Sequence, residues 1–259
     1  MSLSESVPDS AMKQLQNRVP HVVFVYWVIK IASTTLGETG ADMFSMTLKL
    51  GYGTTILMFL AAFLVLLGVK LALRRYTSLS YWAVFTATAI LGTAVSDFID
   101  RTLGLGYAVG SAVLLGLLLL TLGVWYWRER SLSVERIETA GAEVYYWVAF
   151  LIANTLGTAA GDYLSDELEI GFLKSALIIG GVLIALALTH YFTRVSKVVL
   201  FWLAFVLTRP FGATFGDLLT KSQDAGGLAL GTFGASLFFA VCMAGALFYE
   251  ARLERARAS

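Results

Sequence analysis

The chain is poor in several residue types, and each scarcity narrows its chemistry. Its single cysteine, Cys242, sits in an apolar run and rules out an internal disulfide. Its two histidines, His21 and His190, lie near helix ends, so His-based nucleophile activation and Zn²⁺ or Cu⁺ sites lack their usual parts. Charged residues make up only 14% of the 259 residues, where a soluble domain carries about a quarter. The net charge of +1 gives no footprint for nucleic acid. A basic segment leading into an apolar core is missing at the N-terminus, so no cleaved signal peptide is expected. There is no Gly-rich phosphate loop of P-loop form. Catalysis by an enzyme is therefore not expected.

What the chain has instead is apolar sequence, 58% of residues with mean hydropathy +0.75, organised by an internal repeat. A Trp is followed by Gly ten, Asp fifteen and a second Gly twenty-four residues later. The four copies are Trp27/Gly37/Asp42/Gly51, Trp82/Gly92/Asp97/Gly106, Trp147/Gly157/Asp162/Gly171 and Trp202/Gly212/Asp217/Gly226. Trp-to-Trp spacings of 55, 65 and 55 residues suggest a two-repeat unit that was itself doubled.

Spanning a bilayer takes about 20 apolar residues. Eight such runs can be marked, at 20–41, 51–73, 79–98, 105–127, 143–163, 171–192, 197–218 and 227–249. The expected fold is an all-α membrane protein of eight transmembrane helices from four parallel two-helix repeats. Repeats 20–75, 76–130, 143–195 and 196–250 are joined by a linker at 131–142 and flanked by tails 1–19 and 251–259. Thirteen of 19 Lys and Arg fall on the side of the tails and of the loops after even runs, against Lys49, Arg101, Lys174 and Lys221 on the other. Both termini should therefore be cytoplasmic. The four Trp lie just inside the basic flank, where interfacial anchoring is the expected role and ligand binding the alternative.

Stepping by four from each Trp keeps to one helix face. Positions three, seven, eleven and fifteen read Lys30, Thr34, Glu38, Asp42; then Phe85, Ala89, Thr93, Asp97; then Phe150, Asn154, Thr158, Asp162; then Phe205, Arg209, Ala213, Asp217. A second face carries Gly37, Gly92, Gly157 and Gly212 at position ten, each with Ala, Ser or Gly four residues on. Small residues in that register let membrane helices approach closely, so the odd helices are expected to pack centrally with the stripe turned inward. The alternative for the four Asp is a solvated set at helix ends.

A stripe of carboxylates, hydroxyls and one amide suits a hard cation. Glu38, Asp42, Asp97, Asp162 and Asp217, with Thr34, Thr93, Asn154 and Thr158, form the candidate cation-binding set, and the four Asp are its metal-ligand core. Lys30 and Arg209 are internal counter-charges, with Lys30 placed to pair with Glu38. Five acids and two bases leave the stripe a formal −3. The expected function is secondary, proton-coupled export of Mn²⁺, Mg²⁺ or Ca²⁺, the divalent ion being substrate and no covalent cofactor being needed. The alternatives are a structural or regulatory membrane protein and a small-solute channel. The expected partners are the bilayer and a small inorganic ion, not nucleic acid, and a homo-oligomer is compatible with the sequence.

These repeats resemble a bacterial membrane-protein family built from four tandem copies of a repeat of unknown function, with two helices and a characteristic Trp per copy. Besides the four Trp, the match rests on Thr35-Leu36-Gly37-Glu38 with Asp42, Leu91-Gly92-Thr93 with Asp97, Asn154-Thr155-Leu156-Gly157-Thr158 with Gly161-Asp162, and Thr208-Arg209-Pro210 with Gly216-Asp217. The resemblance implies a bacterial inner-membrane protein and brings no established substrate.

Overall fold

A computed structural model of the chain describes residues 18–20, 22–134, 137 and 139–258, with side chains to Arg252. The N-terminal tail to residue 17 and His21 lie outside the described residues. Eight long helices and no strand occur among the described residues: α1 Phe24–Asp42, α2 Gly51–Leu73, α3 Ser78–Asp97, α4 Tyr107–Glu129, α5 Ala140–Asp162, α6 Phe172–Phe192, α7 Lys197–Thr220 and α8 Thr232–Ala258. Six of them, all but α1 and α5, are long and apolar enough to cross a membrane. The exceptions carry many of the buried polar side chains: Lys30, Glu38 and Asp42 on α1, and Glu143, Asn154 and Asp162 on α5.

The odd helices close into a central ring, α1 on α3, α3 on α5, α5 on α7 and α7 back on α1. The position-ten glycines make the closure possible. A Cβ on Gly37 would lie 2.6 Å from the Ala89 Cβ, and one on Gly92 would lie 2.9 Å from the Asn154 Cβ. One on Gly157 would overlap Arg209, and one on Gly212 would lie 2.5 Å from Thr34 Oγ1. Position ten of each repeat thus receives position seven of the next, and the rule closes from the fourth repeat onto the first. Gly161 against Ala213 and Gly216 against Glu38 repeat the arrangement one turn further on.

Each even helix packs on the odd helix of the following repeat: α2 on α3, α4 on α5, α6 on α7 and α8 on α1. Its other side is apolar and uncovered, as at Leu57 and Val65, Val113 and Leu120, Leu177 and Ile184, and Leu237 and Val241. This is the surface expected to meet lipid.

The second glycine of the frame has a backbone reason. Gly51, Gly106, Gly171 and Gly226 have φ of +74°, +75°, +80° and +82°, where a Cβ is strained. In the first three repeats a π-helical turn follows the frame's Asp (Met43–Thr47, Phe98–Thr102, Tyr163–Glu167), and this glycine starts the even helix. The fourth repeat differs, and its second Gly does not start the even helix. There α7 runs on to Thr220, a short 3₁₀ turn Gln223–Ala225 ends on Gly226, and α8 starts only at Thr232, after Gly231 at φ +75°.

The tryptophans correct the expectation of interfacial anchoring. Trp82, Trp147 and Trp202 are buried in an aromatic core at their end of the ring, and Trp27 packs partly buried against it. Trp82, Trp147 and Trp202 therefore face the protein core and not lipid. Trp82 Nε1 donates to Glu250 of α8 at 3.1 Å and Trp202 Nε1 to the Leu132 carbonyl at 3.1 Å, so indoles of this layer tie neighbouring segments together. At the same end Glu143 is buried between Lys70 at 3.0 Å and Arg18 at 2.9 Å.

Candidate functional site

The polar stripe converges on the axis of the ring in layers. At the Trp end, Tyr26, Tyr81 and Tyr146 immediately precede their Trp and are buried, and the Tyr81 and Tyr146 hydroxyls share a hydrogen bond. The next layer holds Phe85, Phe150 and Phe205, with ring centroids 5.2 Å apart for Phe85–Phe150 and 4.0 Å for Phe150–Phe205. Lys30 takes the fourth place. Its ammonium lies 3.8 Å from the Phe205 ring centroid and 5.3 Å from that of Phe85, and donates to the Phe205 carbonyl at 3.1 Å. Lys30 is therefore not the partner of Glu38. Its charge is met by π faces and one carbonyl.

Arg209 is that partner. It starts at position seven of the fourth repeat and crosses the axis, because Ala213 above it leaves the fourth place of the next layer open. Its Nη1 donates to the Thr34 carbonyl at 3.1 Å, and its Nη2 to Glu38 Oε2 and the Ala89 carbonyl, each at 3.3 Å, and to the Thr93 hydroxyl. Glu38 Oε2 also accepts from Thr93 at 3.2 Å and Thr158 at 3.5 Å. One buried carboxylate of α1 is thus held from the other three odd helices. Thr34 and Asn154 sit one turn deeper, the Thr34 hydroxyl engaged with carbonyls and the Asn154 Oδ1 buried without a hydrogen-bond donor among the described residues. The Thr34 hydroxyl bonds to the Ile31 and Thr208 carbonyls, and Asn154 Nδ2 donates to Thr88 at 3.0 Å. Of the neutral oxygens expected around a cation, the structure places Thr93 and Thr158 beside a carboxylate and Thr34 and Asn154 away from it.

The next layer is the ring of Asp42, Asp97, Asp162 and Asp217, all buried and not solvated at helix ends. Arg101 and Lys221 cover it. Arg101 lies 3.3 Å from Asp97 and 3.6 Å from Asp162, and Lys221 lies 2.7 Å from Asp42 and 3.1 Å from Asp217. Each covering cation comes from position nineteen of an even-numbered repeat and bridges its own Asp to that of the next repeat. The central charge count accordingly changes from three excess negative charges to one, five acids now facing Lys30, Arg209, Arg101 and Lys221. Burial alone would lower the pKa of Lys221, but Asp217 and Asp42 outweigh it and hold the ammonium above the ordinary lysine value. The apolar runs by themselves leave Arg101 and Lys221 in the outer loops. One further step of four along the stripe reaches both.

Two features of this end are open chemically. Glu38, Asp42 and Asp217 each place a carboxylate oxygen within 4.8 Å of the others. Both carboxylate oxygens of Asp97 and of Asp162 are buried without a hydrogen-bond donor among the described residues, their contact with Arg101 being ionic only. Buried polar atoms are normally satisfied, so these oxygens are set for a further donor or a cation.

Fold and site together define a helical, membrane-type protein of four tandem two-helix repeats around a buried acidic axis. The chain belongs to the Repeat of Unknown Function (DUF347) family, whose model matches residues 25–76, 80–131, 145–196 and 200–256. It matches no curated protein and no solved structure.

Proposed function

We propose that this protein crosses a bacterial inner membrane eight times, with both termini cytoplasmic, and moves a hard divalent cation such as Mn²⁺, Mg²⁺ or Ca²⁺ along the axis of its odd helices. The observation that carries this reading is the convergence of five buried carboxylates on one axis, with four oxygens of Asp97 and Asp162 lacking hydrogen-bond donors among the described residues. A buried charge inside a membrane protein is costly and points to function unless it is fully paired. On this reading α1 and α5 are tolerated in the bilayer because their polar side chains face the ring and not lipid. The Asp end is the external mouth of the path, with Arg101 and Lys221 partly exposed there. Arg209 and the Phe and Tyr layers close the cytoplasmic half, so passage requires alternation of this plug with the outer cover.

A second reading, a structural or regulatory protein whose polar axis only holds the bundle together, draws support from the saturation of Glu38 Oε2 by Arg209, Thr93 and Thr158. Cation flux separates the two. Purified protein in liposomes loaded with a divalent-sensitive dye should admit Mn²⁺ on the transport reading, and absence of flux for Mn²⁺, Mg²⁺ and Ca²⁺ under every gradient would leave the structural one.

A further inference from the structure

The Asp ring has two unlike halves. On the arginine half, a permanently charged guanidinium spans Asp97 and Asp162 from the π-helical turn that follows α3. On the lysine half, a compact ammonium sits between Asp42 and Asp217, and a third carboxylate, Glu38, stands close enough for all three to share one ion. Oxygen ligands 2.0–2.6 Å from a hard cation stand at most about 4–5 Å apart, and the three oxygens here lie within 4.8 Å of one another.

Resting on the transport reading, we infer that Glu38, Asp42 and Asp217 are the ligands of the cation and that the Lys221 ammonium is a tethered competitor, which holds the site when no ion is present and is displaced when one binds. Two observations favour this half, and a third shows that the ring as a whole has room for a cation. Lys221 Nζ already occupies the position of a cation between two carboxylates. It lies just beyond the end of α7 on extended backbone, with its side chain 21% exposed, so it stands at the open edge of the site and not deep within it. Independently of the cluster, the carboxylates of Asp97 and Asp162 across the ring are buried without hydrogen-bond donors among the described residues. The ring therefore holds acceptor capacity that Arg101 and Lys221 leave unused, which a hydrated cation's water ligands would fill. Exchange needs no covalent step: the ammonium leaves protonated, and the incoming ion carries one more positive charge into an axis whose five acids and four bases leave one formal negative charge uncompensated.

A competitor lowers apparent affinity by the fraction of time it holds the site. The experiment is calorimetric titration of Mn²⁺ into the full-length purified protein and into Lys221→Met, with Asp217→Asn and the double variant alongside. Lys221→Met should bind Mn²⁺ at least about tenfold more tightly than the wild type, and Asp217→Asn should abolish binding in both backgrounds. If the wild type binds and Lys221→Met binds no more tightly, the competitor is refuted while cation binding stands. If neither binds, this inference and the transport reading fall together. Should the methionine variant not fold, Lys221→Gln, which removes the charge and keeps a polar chain, gives the same comparison. Lys221→Arg, with an undisplaced guanidinium, should bind more weakly than the wild type.

Discussion

Removing the Arg209 guanidinium is the sharpest perturbation of this axis. Arg209→Met keeps most of the aliphatic stem and deletes donors to Glu38, the Thr34 and Ala89 carbonyls and the Thr93 hydroxyl. It leaves Glu38 buried without its cation, and breaking a buried pair from one side typically costs about 3–5 kcal/mol. For a protein of this size about 1 kcal/mol moves the melting temperature by roughly 2–4 °C, so the variant should melt about 6–20 °C below the wild type in detergent. Glu38→Gln combined with Arg209→Met removes both charges, and replacing a buried pair together is often close to neutral. The double variant should therefore recover more than half of the loss, a non-additivity that a double-mutant cycle measures. The assay is thermal unfolding of the purified proteins followed by tryptophan fluorescence, because three of the frame's four Trp are buried in the ring. An Arg209→Met melting temperature within about 2 °C of the wild type, or strictly additive losses in the double variant, would refute the assignment of Arg209 and Glu38 as a buried pair across the axis.

Other expectations follow from the same geometry. Lys30→Met should leave the melting temperature unchanged or raised, since among the described residues Lys30 has π faces and one carbonyl but no carboxylate at its ammonium; a loss above about 5 °C would contradict that placement. Gly157→Leu should prevent stable folding, because even a Cβ there overlaps Arg209, whereas Ala185→Leu on the outer face of α6 should melt like the wild type; equal melting temperatures would sink the ring closure. In a Cys242→Ala background, Ser222→Cys should react with an impermeant thiol reagent outside intact cells and Arg130→Cys should not, and the reverse pattern would invert the proposed orientation.

Much of this arrangement is legible in the amino-acid sequence, and the parts that are not have physical reasons. The Trp-Gly-Asp-Gly frame places Gly37, Gly92, Gly157 and Gly212 at helix contacts because only a missing Cβ lets two backbones come so close. The four-residue step puts Glu38, Thr93, Thr158 and the four Asp on one face, and the ring brings them together. What the step does not reveal is partner choice. Glu38 meets Lys30 on its own helix in a count along the sequence, but Arg209 reaches it from the neighbouring helix α7, through the place on the axis that the small Ala213 leaves open. Arg101 and Lys221 read as loop residues because they lie beyond the apolar runs, although a buried acidic ring draws its nearest cations inward. A Trp beside a basic flank reads the same whether it faces lipid or core, and its burial depends on neighbours from other repeats, as with Glu250 against Trp82. The packing of each even helix on the next repeat leaves no mark in the frame, since both of its faces are apolar.

The central claim, that the acidic axis carries a divalent cation, is tested most directly by Mn²⁺ entry into dye-loaded proteoliposomes containing wild-type protein, Asp42→Asn or Asp162→Asn. Saturable Mn²⁺ flux is expected for the wild type, and flux at least about tenfold lower for each variant at equal protein content. Flux that is absent from the wild type, or unchanged in both variants, would contradict it.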